Sequence, residues 1–299
     1  NNSRFKNNNL NINLFKKVDN NTNYGLSFNY VDSPIAVDPG GLTIEEVNMN
    51  RKQARERNVT YDSKESIKHF KLSGSFEKKI TEKLTFANYI FYSNRNFNGN
   101  IPVKKGGTIK LNRKYWGLGA SVLINYGITT QIGFDIGNQK DFRKRFFNND
   151  GKVGELVLEQ DENFINYGIY LVSSYKFNDF TISAGLRYDK NRISINDKYL
   201  TDGNSSDRIN LNSSNPSLGI NYKLDNLTRF FANISSGFET PTLNEFGSSP
   251  IGSGFNKNLK SQKSINYEMG FSKTSQNLSL IHISEPTRLL SISYAVFCL

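Results

Sequence analysis

The sequence predicts an all-β chain, one stretch of an antiparallel transmembrane β-barrel, and three observations carry that prediction. Apolar and polar residues alternate with period two through eleven segments. The connections between those segments are short and long by turns. Aromatic residues gather at the segment ends. Successive side chains of a strand point to opposite faces, so such alternation gives each segment one apolar and one polar face.

The elements follow in order. Segments at 4–17 and 22–31 are joined by the short Val18–Asn21 turn, and a long loop spans 32–65. Segments at 66–79 and 84–97 meet at Ile80–Lys83, before a long loop at 98–113. The next pair, 114–125 and 128–142, turns at Tyr126–Gly127 and precedes a loop at 143–162. In it Ile128, Thr130, Ile132, Phe134 and Ile136 alternate with Thr129, Gln131, Gly133, Asp135 and Gly137. Segments at 163–176 and 180–195 turn at Phe177–Asp179, with a loop at 196–214 beyond. The pair 215–223 and 228–240 turns at Asp225–Leu227, and a loop at 241–263 leads to the segment at 264–273. Short turns carry the Asn, Asp and Gly that tight hairpins favour. A soluble sandwich has no reason to lengthen every second loop, whereas a membrane barrel has short turns on one side and long loops on the other. The segments also suit a tilted membrane strand of about 9–11 residues. Two aromatic girdles are expected, with Tyr126, Phe177 and Phe180 near the short turns and Tyr30, Tyr115, Trp116 and Phe164 near the long loops.

Composition narrows the function. Net charge is +11 and the pI about 9.5, which raises nucleic acid or an anionic membrane surface as partners. The basic residues are scattered and often stand beside acids, as in Arg51–Arg57, and no finger, helix-turn-helix or RNA-binding aromatic signature appears, so nucleic acid is not the expected partner. Mean hydropathy is −0.55, and no apolar run approaches the roughly 18 residues of a transmembrane helix. Barrel strands are only half apolar, so these values are compatible with a barrel. Enzyme signatures are poor. Gly117-Leu118-Gly119 lacks the third glycine of a dinucleotide fingerprint and lies inside a strand, and no nucleophile elbow, P-loop or metal-ligand cluster is present. The expectation is no enzyme, no cofactor and no metal centre.

Phe230–Glu245 reads FFANISSGFETPTLNE and Asn256–Gly270 reads NKNLKSQKSINYEMG. The pair resembles two late-strand elements of TonB-dependent outer-membrane receptors, carried here by Gly237, Phe238, Glu239, Thr240, Pro241 and Thr242, then by Asn258, Leu259 and Lys260. The chain departs from that pattern at Lys257, Ser261 and Gln262, where the family usually has Pro, Pro and Glu. Asp32–Ala54 resembles a loop of the iron-complex branch of the same receptors. The resemblance implies a barrel of about 22 strands around an N-terminal plug, of which about half the wall is present. It implies an outer-membrane location in a Gram-negative cell, with outer-membrane lipid around the wall. It implies partnership with the TonB complex through the plug region, and uptake of a scarce large nutrient, foremost a ferric siderophore. A passive porin-like channel and a structural or adhesive surface barrel are the other readings.

Candidate binding residues lie in the first long loop. Thr43–Arg57 is expected to be helical, with Thr43 and Glu46 at capping-box spacing and charges running acidic then basic. Arg51, Lys52 and Arg55 would offer an anion to the outer vestibule, or would simply be the solvated face of a surface helix. Lys71, Glu77, Arg187 and Asp189 fall on the polar phase of their strands and are expected to face the lumen. His69, beside Lys71, reads as a solvated wall residue rather than a haem ligand.

The ending is different in kind. Leu278–Arg288 resembles the translation of a transposase-type sequencing adapter, and Ile292–Leu299 resembles its flow-cell end, with room for a short index between. The expected division is therefore a partial barrel over 1–277, its plug lying before residue 1, and a non-native tail over 278–299. That division sets aside Cys298, which is the only cysteine, and His282, one of two histidines. It also sets aside one charge of each sign, Glu285 and Arg288, so the net +11 stands.

Overall fold

The computed structural model describes residues 3–247 and 254–274. The sequence LSLIHISEPTRLLSISYAVFCL at 278–299 lies outside the described residues. Eleven strands form one antiparallel sheet in which the spatial order is the chain order. They are β1 (Phe5–Asp19), β2 (Thr22–Val37), β3 (Lys64–Thr81), β4 (Leu84–Asn100), β5 (Thr108–Tyr126), β6 (Ile128–Asn149), β7 (Lys152–Phe177), β8 (Phe180–Asp197), β9 (Asp207–Lys223), β10 (Thr228–Glu239) and β11 (Gln262–Lys273). Each strand pairs with its sequence neighbours alone, as in the wall of an up-and-down barrel. Among the described residues β1 and β11 do not meet, so the sheet is open.

Register turns the period-two pattern into two continuous faces. Leu14 opposes Leu26, Leu118 opposes Ile136, Ile132 opposes Leu171, and Ala184 opposes Leu218. The outcome is a largely apolar face with residues such as Ile90 (57% exposed), Ile169 (62%) and Leu186 (54%) turned away from the protein. Apolar surface this extensive is untenable in water but matches hydrocarbon. Its lower border carries Tyr24 on Phe76 with centroids 5.0 Å apart, and Phe180 stacked on Tyr222 at 4.5 Å. Its upper border carries Phe70 near Tyr92 at 5.8 Å, with Trp116 opposite Tyr92 and with Tyr188 on the same face of β8. These are the two girdles, and two expected members prove to face the other way. Tyr115 packs edge-on against Phe91 on the polar face, and Phe164 joins an internal apolar cluster. Tyr115 stands one residue out of phase with outward-facing Trp116, and Phe164 one residue out of phase with Ile165.

The short turns are tight. Gly127 alone joins β5 to β6 with φ of 86°, and Asn178, at φ 52°, opens the turn between β7 and β8. Both need the left-handed region, which Gly and Asn tolerate. At the opposite end the expected loops are shorter than their sequence suggested. β6 and β7 continue to Asn149 and from Lys152, so the loop expected at 143–162 is only the two-residue turn Asp150–Gly151. The loops expected at 98–113 and 196–214 shrink to 101–107 and 198–206. Beyond the lipid both faces of a strand meet water or protein, so pairing continues while alternation fades. The expected Thr43–Arg57 helix is also corrected. It is two short helices, α1 (Ile44–Met49) and α2 (Glu56–Thr60), because Asn50 turns extended and ends α1. The capping box is present, with Glu46 N–H donating to Thr43 Oγ1 at 3.3 Å and Thr43 N–H donating to Glu46 Oε2 at 2.7 Å.

Candidate functional site on the polar face

A closed barrel turns its polar face inward, and here that face carries ordered charge pairs across neighbouring strands. Arg113 on β5 grips Asp141 on β6 by two forks, Nε to Oδ1 at 2.9 Å and Nη2 to Oδ2 at 2.7 Å. Arg143 on β6 holds Glu162 on β7 the same way, Nε to Oε1 at 2.5 Å and Nη2 to Oε2 at 3.1 Å. Gln160 adds a third donor to Glu162 at 2.6 Å. Arg187 on β8 reaches two acids, Asp189 at 2.9 Å and Asp135 at 2.7 Å, while Tyr89 donates its hydroxyl to Asp135 at 2.8 Å. Bidentate guanidinium–carboxylate pairs fix geometry as well as charge. Gly168 makes room for this, since a Cβ there would sit 2.1 Å from Arg187 Nη2. The acids are neutralised in place, so this wall is a stiff polar lining rather than a cluster of free acid or base.

The candidates from the sequence fall in three places. Arg187 and Asp189 are partners in the wall network. Lys71 lies over the Phe91 ring, 5.1 Å from its centroid, and Glu77 accepts from Asn23 Nδ2 at 3.1 Å. Arg51, Lys52 and Arg55 are all at the surface, in and beside the turn between α1 and α2, remote in register from the other four. His69 opposes Arg95 across β3 and β4. The sequence does not announce the charge pairs Arg113–Asp141, directly opposed, and Arg143–Glu162, diagonal because Arg143 stands opposite Gln160, since both depend on register.

The motif residues bracket a loop that packs onto the polar face at the long-loop end. Gly237–Glu239 close β10, and Thr240–Thr242 lead into α3 (Leu243–Phe246). Thr242 and Glu245 build a second capping box, with Thr242 N–H donating to Glu245 Oε2 at 2.6 Å. The helix presses Leu243 and Phe246 onto Ile193 and Ile195 of β8, and Phe164, Ile209, Leu211, Phe255 and Leu259 surround them. Phe246 and Ile193 are fully buried. The returning arm of the loop carries Asn256, whose N–H donates to the Phe246 carbonyl at 2.8 Å, then Asn258 and Lys260. Lys257, where the family usually has proline, is paired with Asp207 at 2.6 Å. A signal was present in the sequence: Ile193 and Ile195 lie on the same phase as Arg187 and Asp189. Apolar residues on a polar phase announce a partner on that face.

Comparison with known proteins agrees with this geometry. The family model described as TonB dependent receptor-like, beta-barrel, matches residues 1–293. The vitamin B12 transporter BtuB of Photobacterium profundum is 29% identical over 185 residues, which is 62% of this chain and 25% of that protein. Among solved structures, the ferric citrate transporter FecA in its unliganded form superposes with a TM-score of 0.77 at 17% identity, over 90% of this chain and 41% of that one. The siderophore receptor PiuA from Acinetobacter baumannii gives 0.69 at 12% identity, over 91% and 48%. The copper transporter OprC gives 0.70 at 13% identity, over 92% and 44%. The chain thus spans a quarter of the curated relative and under half of these solved neighbours. At these identities the solved structures speak for the fold alone, while the family match covers nearly the whole chain. The chain belongs to the TonB-dependent receptor family, outer-membrane transport receptors, as a part of the β-barrel.

Proposed function

We propose that the chain is the wall and outer mouth of a receptor that takes up a large, scarce nutrient with energy relayed through TonB, foremost a ferric siderophore or another iron complex. The observation that carries this reading is the polar face. Its acids Asp135, Asp141, Glu162 and Asp189 are already paired with arginines, while exposed cations stand at the long-loop end, where an anionic chelate would arrive. The cargoes printed for the neighbours include iron complexes, vitamin B12 and copper, so the choice of iron rests on the loop resemblance and on charge. In this reading Arg51, Lys52 and Arg55 receive the anionic cargo, and the plug lies in sequence before residue 1. Residues 1–277 are then receptor and 278–299 are not.

The test is uptake by cells whose only receptor is the complete protein. Labelled ferric siderophore should accumulate, and accumulation should stop when TonB is removed. Entry that continues without TonB would show a passive channel instead, and uptake of cobalamin or copper but not iron complexes would reassign the cargo. Reversing Arg51 and Arg55 together to Glu should weaken uptake of an anionic chelate by about tenfold, in line with charge-assisted contacts. Unchanged uptake would remove the loop cations from the site.

A further inference from the structure

Strand glycines on the polar face share one cause. A Cβ at Gly117, Gly119, Gly133 or Gly168 would stand 2.5 Å or less from a neighbouring side chain, so crowding excludes a larger residue. Gly74 is different. It lies on the outward face of β3, in phase with Leu72 and Phe76, and a Cβ there would meet nothing nearer than Ile90 Cγ2 at 3.8 Å. A glycine inside a strand weakens it and often marks a close approach by something else. Nothing within the chain requires Gly74 to be small, and the room it leaves opens to the outside. It floors a hollow of about 420 Å³, with Leu14 and Leu26 on one side, Ile90 on the other and Phe76 at its foot.

Polar groups gather where this hollow meets the lower aromatic border. Lys16, Tyr24, Phe76 and Asn88 stand opposite one another in turn across β1 to β4. Asn88 is an exposed amide flanked by Phe86 and Ile90 on its own strand and by Phe76 and Ala120 across it. Lys78 is two residues beyond Phe76 on the same face of β3, about 7 Å nearer the short turns. Aromatic rings at such a border mark the headgroup level, and lysines there extend their ammonium groups toward lipid phosphates. Other cations at this end are engaged: Lys79 pairs with Glu82, and Lys83 lies over the Tyr126 ring at 4.7 Å. Lys16 and Lys78 are exposed and make no ion pair among the described residues. Asp19, whose field Lys78 feels, turns its carboxylate to the Asn21 N–H at 2.7 Å and the Thr22 hydroxyl at 3.2 Å. Strand spacing sets the backbones of Lys16 and Lys78 about 12 Å apart, a gap that two lysine side chains close around one phosphate.

We propose that this hollow holds one anionic glycerophospholipid from the leaflet on the short-turn side. Lys16 and Lys78 take the headgroup phosphate through charge-assisted hydrogen bonds. The Asn88 amide faces the glycerol esters, and an acyl chain lies over Gly74 between Leu26 and Ile90. With Asp19 engaged, no carboxylate stands ready for the amine of a zwitterionic headgroup, so a net anionic lipid is selected. The inference rests on the membrane-barrel reading of the chain, and it makes this lipid a fixed part of the wall rather than a passing neighbour.

The experiment places the complete receptor in nanodiscs of phosphatidylethanolamine with phosphatidylglycerol, releases it into detergent and reads retained lipid by mass spectrometry of the intact complex. One phosphatidylglycerol should stay bound, and K16Q/K78Q should weaken its retention by about 30-fold. K16R/K78R should keep it. Gly74→Leu should abolish retention while the barrel keeps its heat-modifiable migration, because the added side chain fills the hollow without a clash. Retention unchanged by Gly74→Leu would reduce the two lysines to ordinary interfacial cations and overturn the proposal. Equal retention of the two phospholipids by the unmodified receptor overturns it even if the glutamine variant fails to fold. Inorganic phosphate displacing the lipid as effectively as soluble short-chain phosphatidylglycerol would overturn the lipid assignment. A receptor that never gives a heat-modifiable barrel in the membrane fraction overturns the membrane reading and this inference with it, whereas a sound barrel that retains no phosphatidylglycerol overturns this inference alone.

Discussion

Arg143 and Glu162 show how a single pair holds the wall. Both side chains are nearly inaccessible, 8% and 0% exposed, and Gln160 completes the carboxylate's hydrogen bonding. Removing one partner leaves a buried charge uncompensated, at a cost of about 3–5 kcal/mol. Glu162→Ala should therefore destabilise the barrel by about that amount, whereas Arg143→Met with Glu162→Leu should cost far less. Unfolding by urea in detergent micelles, followed by the loss of heat-modifiable migration, reads both; equal losses would show that the charge pair is incidental to packing. Asp225 acts differently, outside the lipid, in the turn between β9 and β10. It accepts from the backbone N–H of Leu227 at 2.6 Å and of Thr228 at 2.7 Å. Those hydrogen bonds, led by that of Leu227, hold its carboxyl below the ordinary value of 3.8. A depressed carboxyl contributes stability that is present above its unfolded pKa and lost as pH falls through the folded one. Amide exchange at Leu227 and Thr228 should accelerate, beyond its intrinsic pH dependence, as pH drops below that ordinary value. Asp225→Asn should abolish this step; an unchanged step in the variant would assign it to another group.

At the scale of elements, the connection from β10 to β11 is a strap pinned by α3. Four residues of helix cannot persist alone, so the anchorage is Leu243 and Phe246 on Ile193 and Ile195. Phe246→Ala removes the fully buried ring and should cost about 3–5 kcal/mol of local stability. The expected readout is new proteolytic cleavage between residues 240 and 261 with the strands intact. Resistance equal to the parent would mean that the Thr242–Glu245 box and the Lys257–Asp207 pair hold the strap without the ring. What was legible beforehand follows from the solvent each stretch meets. Where lipid touches one face and polar lining the other, alternation is enforced, and all eleven strands could be read from it. Above the lipid that constraint ends. Asp150–Gly151, with φ of 49° and 86°, is an Asp-Gly hairpin turn of the kind both positive angles require. It lay unread inside a presumed loop because the flanking strands, Arg143–Asn149 and Lys152–Glu162, no longer alternate. Arg187 was assigned to the polar face by phase, yet its partner Asp135 lies 52 positions away and only register brings them together.

At the scale of the whole molecule, the two ends of the sheet decide what this chain can be in a bilayer. The outer edges of β1 and β11 carry no strand among the described residues. In hydrocarbon each unpaired backbone group costs several kcal/mol, and only a closed barrel leaves none. The edges also carry apolar side chains, such as Met269 (85% exposed) and Phe271 (69%) on β11, so they are both sticky and templating. A polypeptide of residues 1–277 refolded by itself into lipid vesicles should therefore pair edge to edge with further copies. It should run as oligomers after crosslinking and give no monomeric heat-modifiable band. Co-refolding with the remaining strands of a complete receptor should restore that band, because those strands satisfy β1 and β11 at once. A protease-resistant monomer from residues 1–277 alone would require that β1 and β11 meet, a closure absent from the eleven-strand sheet of the described residues.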